Sequence, residues 1–127
     1  MSKASKDRRD AYYAEQARYV RELAEAVEAL MPGFRQLSPP IVDFHHVGPF
    51  TSTPDDRVIW FVVPERSAIQ AAEAGGLPER LLAETRAELE RRGYPASGRA
   101  TLSVVLTSQE DIDEAGGIFK YFRKATF

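Results

Sequence analysis

The stretch from Arg57 to Thr107 constrains this chain more than any other. It opens with Val58-Ile59-Trp60-Phe61-Val62-Val63, a run without charge. A segment of helical character follows, interrupted at Gly75-Gly76, and the stretch closes on Thr101-Leu102-Ser103-Val104-Val105-Leu106. Strand, helix, strand in that order is a crossover unit and implies two parallel neighbours in one sheet. Such crossovers are right-handed. Val58–Val63 does not alternate, so both of its faces need cover, and Thr101–Leu106 is nearly as apolar. Both strands are therefore expected in the centre of the sheet.

The remaining elements follow from periodicity and punctuation. Val20, Leu23, Ala24, Val27, Leu30 and Met31 recur at three- and four-residue steps and predict one helix from about Ala4 to Met31, ended by Pro32-Gly33. Tyr12, Tyr13 and Tyr19 fall outside that stripe. They either form a contact surface or pack their rings and leave their hydroxyls wet. Ser38-Pro39-Pro40 is a stiff connector. Ile41 to Val47 reads as a strand with no cleanly apolar face, and so as an edge. Residues 48–56 make a connection longer than a tight hairpin, a suitable place for a binding surface.

Ser67 with Gln70 is a capping box that starts a helix near Ala68, and Gly75-Gly76 stops it. Pro78 suits the first turn of the next helix, whose stripe is Leu81, Leu82, Thr85 and Leu89 and whose end is Gly93. Pro95 to Gly98 reads as a turn. Thr107 with Glu110 predicts a short helix ended by Gly116-Gly117. Residues 118–124 fit either period, and their aromatic content favours a strand. The expected fold is α+β, a single domain over residues 1–127 in the order α-β-β-α-α-β-α-β. It is a two-layer sandwich with helices on one face of a mixed, mostly antiparallel sheet of about four strands.

Composition narrows the function classes. The chain has no cysteine, which removes disulfides, thiolate catalysis and cysteine zinc sites. No apolar run approaches the ~18 residues of a membrane span. The basic N-terminus lacks the apolar core of a secretory signal, so the cytoplasm is the expected compartment. Net charge is −2, but it is unevenly spread. Residues 1–10, read as a solvated basic tail that need not be ordered, and residues 116–127 together hold +5, leaving −7 on residues 11–115. That acidic body could attract a basic partner.

No nucleotide-binding, nucleophile-elbow or zinc-protease motif is present, and no catalytic residue, metal ligand or cofactor is assigned. The histidines are His45 and His46. Asp43 and His45 would share a strand face, where with Asp55 or Asp56 they could form a metal or acid–base site; the simpler expectation is that they face water. Asp55-Asp56 could meet basic groups of a partner or merely end a turn. Phe119, Tyr121 and Phe122 interleave with Lys120, Arg123 and Lys124, a pattern able to stack bases and bind phosphates, although the acidic body would repel nucleic acid. The candidate partner-contacting residues are therefore Asp43, His45, Asp55, Asp56, Lys120, Tyr121 and Arg123. The expected function is a non-catalytic protein-binding module of inhibitor or immunity type. The alternatives are a small enzyme or metal protein at Asp43/His45 and nucleic-acid binding through the last segment. Homo-oligomerisation is compatible with each.

Overall fold

The computed structural model of the chain describes residues 3–47 and 53–126, with side chains over residues 18–47 and 53–123. Helix α1 (Lys3–Phe34) leads into strands β1 (Asp43–Val47) and β2 (Val58–Val63). A 3-10 turn at Arg66–Ala68 precedes α2 (Ile69–Ala74) and α3 (Leu77–Arg91). Then come α4 (Ala96–Thr101), β3 (Ser103–Ser108), α5 (Gln109–Glu114) and α6 (Ile118–Thr126). The fold is mixed α+β, with one antiparallel pairing, β1 to β2, and one parallel pairing, β2 to β3. As expected, the crossover divides at Gly76, whose φ of 83° suits glycine, with Pro78 in the opening turn of α3; it holds a third helix as well, because residues 95–98 lead into α4 rather than form a plain turn, and the strand that follows begins at Ser103 rather than Thr101.

Further expectations need correction. Residues 118–124 are helix, not strand, so the sheet has three strands among the described residues. Gly116 and Gly117, both at positive φ, redirect the chain. As a helix the segment brings Tyr121 and Phe122 together onto the ring of Trp60, which a strand would not do. As a result β3 is an edge strand, while β2 alone is central and β1 is at the other edge as expected. Next, α1 continues through Pro32 to Phe34. Phe34 is buried and packs edge-on against Phe61 at 5.6 Å, so tertiary contact holds the last turn despite the missing N–H. Finally, helix is not confined to one face of the sheet.

The core lies between the sheet and the layer of α1 and α3. Leu23, Val27, Met31, Phe34, Ile59, Phe61, Val63, Leu81, Leu89 and Leu106 meet there, all buried. The β1–β2 register sets Phe44 opposite Phe61 on this face and His45 opposite Trp60 on the other. On that far face α6 makes its contacts, and Val62 and Thr107 are buried there. No helix among the described residues is long and apolar enough to cross a membrane.

Candidate functional site

Two groups of side chains stand out from the packing, one on each side of β1 and β2. On the far face, strand alternation puts Asp43 and His45 together, with Asp43 Oδ2 3.3 Å from His45 Nε2. The contact is at ion-pair distance but does not form a hydrogen bond, and Nε2 is buried. Asp43 Oδ1 instead accepts the backbone N–H of Phe44 at 2.8 Å. Phe122 of α6 lies edge-on to both His45 and Trp60, with ring centroids 5.6 and 5.3 Å away. Tyr121 packs on Trp60 at 5.9 Å, and its hydroxyl accepts from the Thr107 hydroxyl at 2.6 Å.

The inward side of α6 is thus anchored by an aromatic cluster. Its outward side is different: Phe119 is 90% exposed, and Lys120 and Arg123 are exposed beside it. Asp43, His45 and Tyr121 are brought to one face, and Lys120 and Arg123 share the helix above it. Asp55 and Asp56 do not join them. Among the described residues no three His, Asp or Glu side chains gather to hold a metal, so the Asp43–His45 pair finds no third ligand there.

The second group lies where the chain enters β2. Arg57 immediately precedes the strand and is only 4% exposed; its Nη2 donates to the Thr53 carbonyl at 2.9 Å. The Tyr94 hydroxyl donates to the Pro54 carbonyl at 2.8 Å. Asp55 Oδ1 and Glu22 Oε2 are buried and accept no hydrogen bond, although Glu22 Oε1 accepts from Arg18 Nε at 3.1 Å. Burial pushes the Tyr94 phenol up to about 12; Arg57 opposes the shift, while Glu22, Asp55 and Tyr19 add to it. His46, on the core side of β1, is held below its ordinary value by burial first, then by the Arg57 and His45 charges. Asp56 takes a φ of 58°, and its N–H donates to Thr101 Oγ1 at 2.9 Å, which makes it a turn residue.

Sequence reasoning passed over Glu22, Arg57 and Tyr94 as site residues. The available signal was a charge directly against the apolar run at Val58, because such a charge must be buried and compensated. Tyr19, expected as a candidate contact, is half-buried and edge-on to Tyr94 at 5.8 Å. The side chains of Tyr12 and Tyr13 lie outside the described residues.

Elsewhere, a groove of about 550 Å³ lies between residues 37–39 and the junction of α2 with α3, walled by Ala68, Ala71, Ala72 and Leu77. Arg80 at its rim is already paired with Glu84 at 3.1 Å. No family model, curated protein or solved structure matches this chain.

Proposed function

We propose that this protein is a non-catalytic protein-binding module and that the outer face of α6 is its contact surface. The observation that carries the proposal is the exposure of Phe119. An exposed apolar side chain alone means little. Here, however, the ring stands on a helix fixed from beneath by Tyr121 and Phe122, so binding would not have to order it first. Lys120 and Arg123 flank it. An aromatic anchor with basic neighbours suits an apolar pocket rimmed by acid.

Contact through the acidic body has less support. Glu22, Glu25, Glu84, Glu88, Glu90, Asp111 and Glu114 each pair with an arginine of the same chain. Those charges are largely answered before a partner arrives. A cysteine-free chain of this kind suits the cytoplasm.

The test is co-purification from native lysate with wild type and Phe119→Glu, followed by calorimetry with the identified partner. The variant should keep its melting temperature and bind about 30-fold more weakly or worse, as loss of a hot-spot aromatic does. Equal capture by both proteins would reject α6 as the contact surface.

One observation favours a second reading, a small-molecule or catalytic site. Glu22 Oε2 and Asp55 Oδ1 are buried without hydrogen-bond partners beside the Arg57 charge and the Tyr94 phenol. Orphaned buried acceptors among ionisable groups are a mark of functional sites. A ligand at this position should raise the melting temperature of wild type but not of Glu22→Gln/Asp55→Asn.

A further inference from the structure

The groove at the α2–α3 junction has an apolar body and one charged end. Ala68, Ala71 and Gly75 line it at three- and four-residue steps, so this face of α2 carries nothing longer than a methyl group. Leu37, Pro39 and Leu77 supply further apolar surface, and both leucines are only half-buried. At about 550 Å³ the space falls within the range of small-molecule sites. Arg80 is the one charged residue that lines it. Its Nε is taken by Glu84 Oε2 at 3.1 Å, but Nη1 and Nη2 form no hydrogen bond among the described residues. Both side chains of that pair are exposed, and i,i+4 pairs of this kind are weak. Gly76, four residues before Arg80, caps α3 without a side chain, so the leading N–H groups and the positive end of the helix dipole lie at the same end of the groove. The opposing group is Glu79, whose Oε2 would stand 3.9 Å from a Cβ on Gly76.

We propose that this groove binds a small monocarboxylate with an apolar body. The carboxylate meets the Nη1–Nη2 fork of Arg80 at the start of α3, and the body lies along the alanine–glycine face of α2. Charge complementarity selects an anion, because the lining holds a guanidinium and no acid. The planar fork matches a carboxylate with two parallel hydrogen bonds. One guanidinium answers a single charge, and the apolar lining has nothing to offer a ligand charged along its length. The walls belong to the helical layer on the core face and not to α6, so the inference is independent of what α6 binds.

Titration with octanoate, octanamide and acetate, followed by amide NMR shifts, tests it. Octanoate should saturate shifts at Ala71, Leu77 and Arg80 with a dissociation constant of about 1 mM or tighter. Octanamide should bind about tenfold more weakly or worse, for want of the charge-assisted pair, and acetate should not saturate. Arg80→Gln should weaken octanoate about tenfold and leave octanamide unchanged. Glu79→Gln removes the opposing charge and should bind octanoate at least as tightly as wild type. Ala71→Leu, on an exposed position, fills the groove and should abolish binding of both eight-carbon probes. If Ala71→Leu does not fold, the comparison of Arg80→Gln with wild type decides. Wild type that does not saturate by about 10 mM octanoate, octanamide that binds as tightly as octanoate, undiminished octanoate binding by Arg80→Gln or by folded Ala71→Leu, or weaker binding by Glu79→Gln would overturn the proposal.

Discussion

A methyl group placed on Gly98 would lie 2.5 Å from Tyr94 Cε1 and 2.8 Å from the Pro54 carbonyl oxygen. Gly98 is therefore required by close approach, since it lets α4 seat against the Tyr94–Pro54 hydrogen bond. Gly98→Ala should cost ~1–3 kcal/mol, the usual cost of overpacking, seen as a lower denaturant midpoint with an unchanged slope. His46 gives a pH signature. Its folded-state value lies below the ordinary 6.5, so the unfolded chain binds its proton more readily. The stability it contributes is present above 6.5 and is lost as pH falls through that value towards the folded one. Between about pH 7.5 and about pH 5.5 wild type should lose stability more steeply than His46→Gln in chemical denaturation. Parallel profiles would contradict the assignment. Strand alternation alone sets His46 on the face opposite His45. Its neighbour Arg57 is eleven residues away and is brought alongside only by the β1–β2 pairing.

At the scale of elements, glycine stops after α2, α3 and α5 were legible, whereas the Pro32-Gly33 stop is overrun by α1. Gly75-Gly76 and Gly93 end helices where expected, because positive φ is a backbone property that glycine declares locally. The cap of α5 was read one residue early. Ser108, not Thr107, accepts the Asp111 N–H at 3.1 Å, and its hydroxyl donates to Asp111 Oδ2 at 2.7 Å. Thr107 is occupied by Tyr121 across the far face. The Ser108 hydroxyl, with Arg66 adding to it against the effect of burial, holds the Asp111 carboxyl below its ordinary range. Ser108→Ala should lower stability by about 1 kcal/mol, the usual loss on removing an N-cap. It should also raise the Asp111 value in an NMR titration. Loss of stability without that titration change would mean that Arg66 alone sets the Asp111 charge state. The helical state of residues 118–124 could not be read locally, since their pattern serves both periods. Contact with Trp60 selects the helix.

Across the whole molecule, the crossover makes a frame and the periphery carries what the frame leaves over. Val58–Val63 is central because its own composition demands cover on both faces, and the pairing of β2 with β1 and β3 supplies it. β3 looks equally suited to a centre but lies at an edge. Nothing within Ser103–Ser108 could reveal this, because edge or centre depends on whether another segment becomes a strand. The candidate sites divide along the same line. Asp43 and His45 were legible as a pair from strand alternation, a relation between residues two apart. The Glu22–Asp55–Arg57–Tyr94 group was not, because it joins α1, the entry to β2 and the end of α3. By itself the sequence determined the α+β class, the central strand, the break in the crossover at Gly75-Gly76 and the glycine stops after α2, α3 and α5, all of which follow from periodicity, composition and backbone freedom over a few residues. Only the tertiary structure decided the strand count, the helical state of the last segment, the edge position of β3 and the buried polar group. Each of these depends on free energies of contact between segments far apart in the chain.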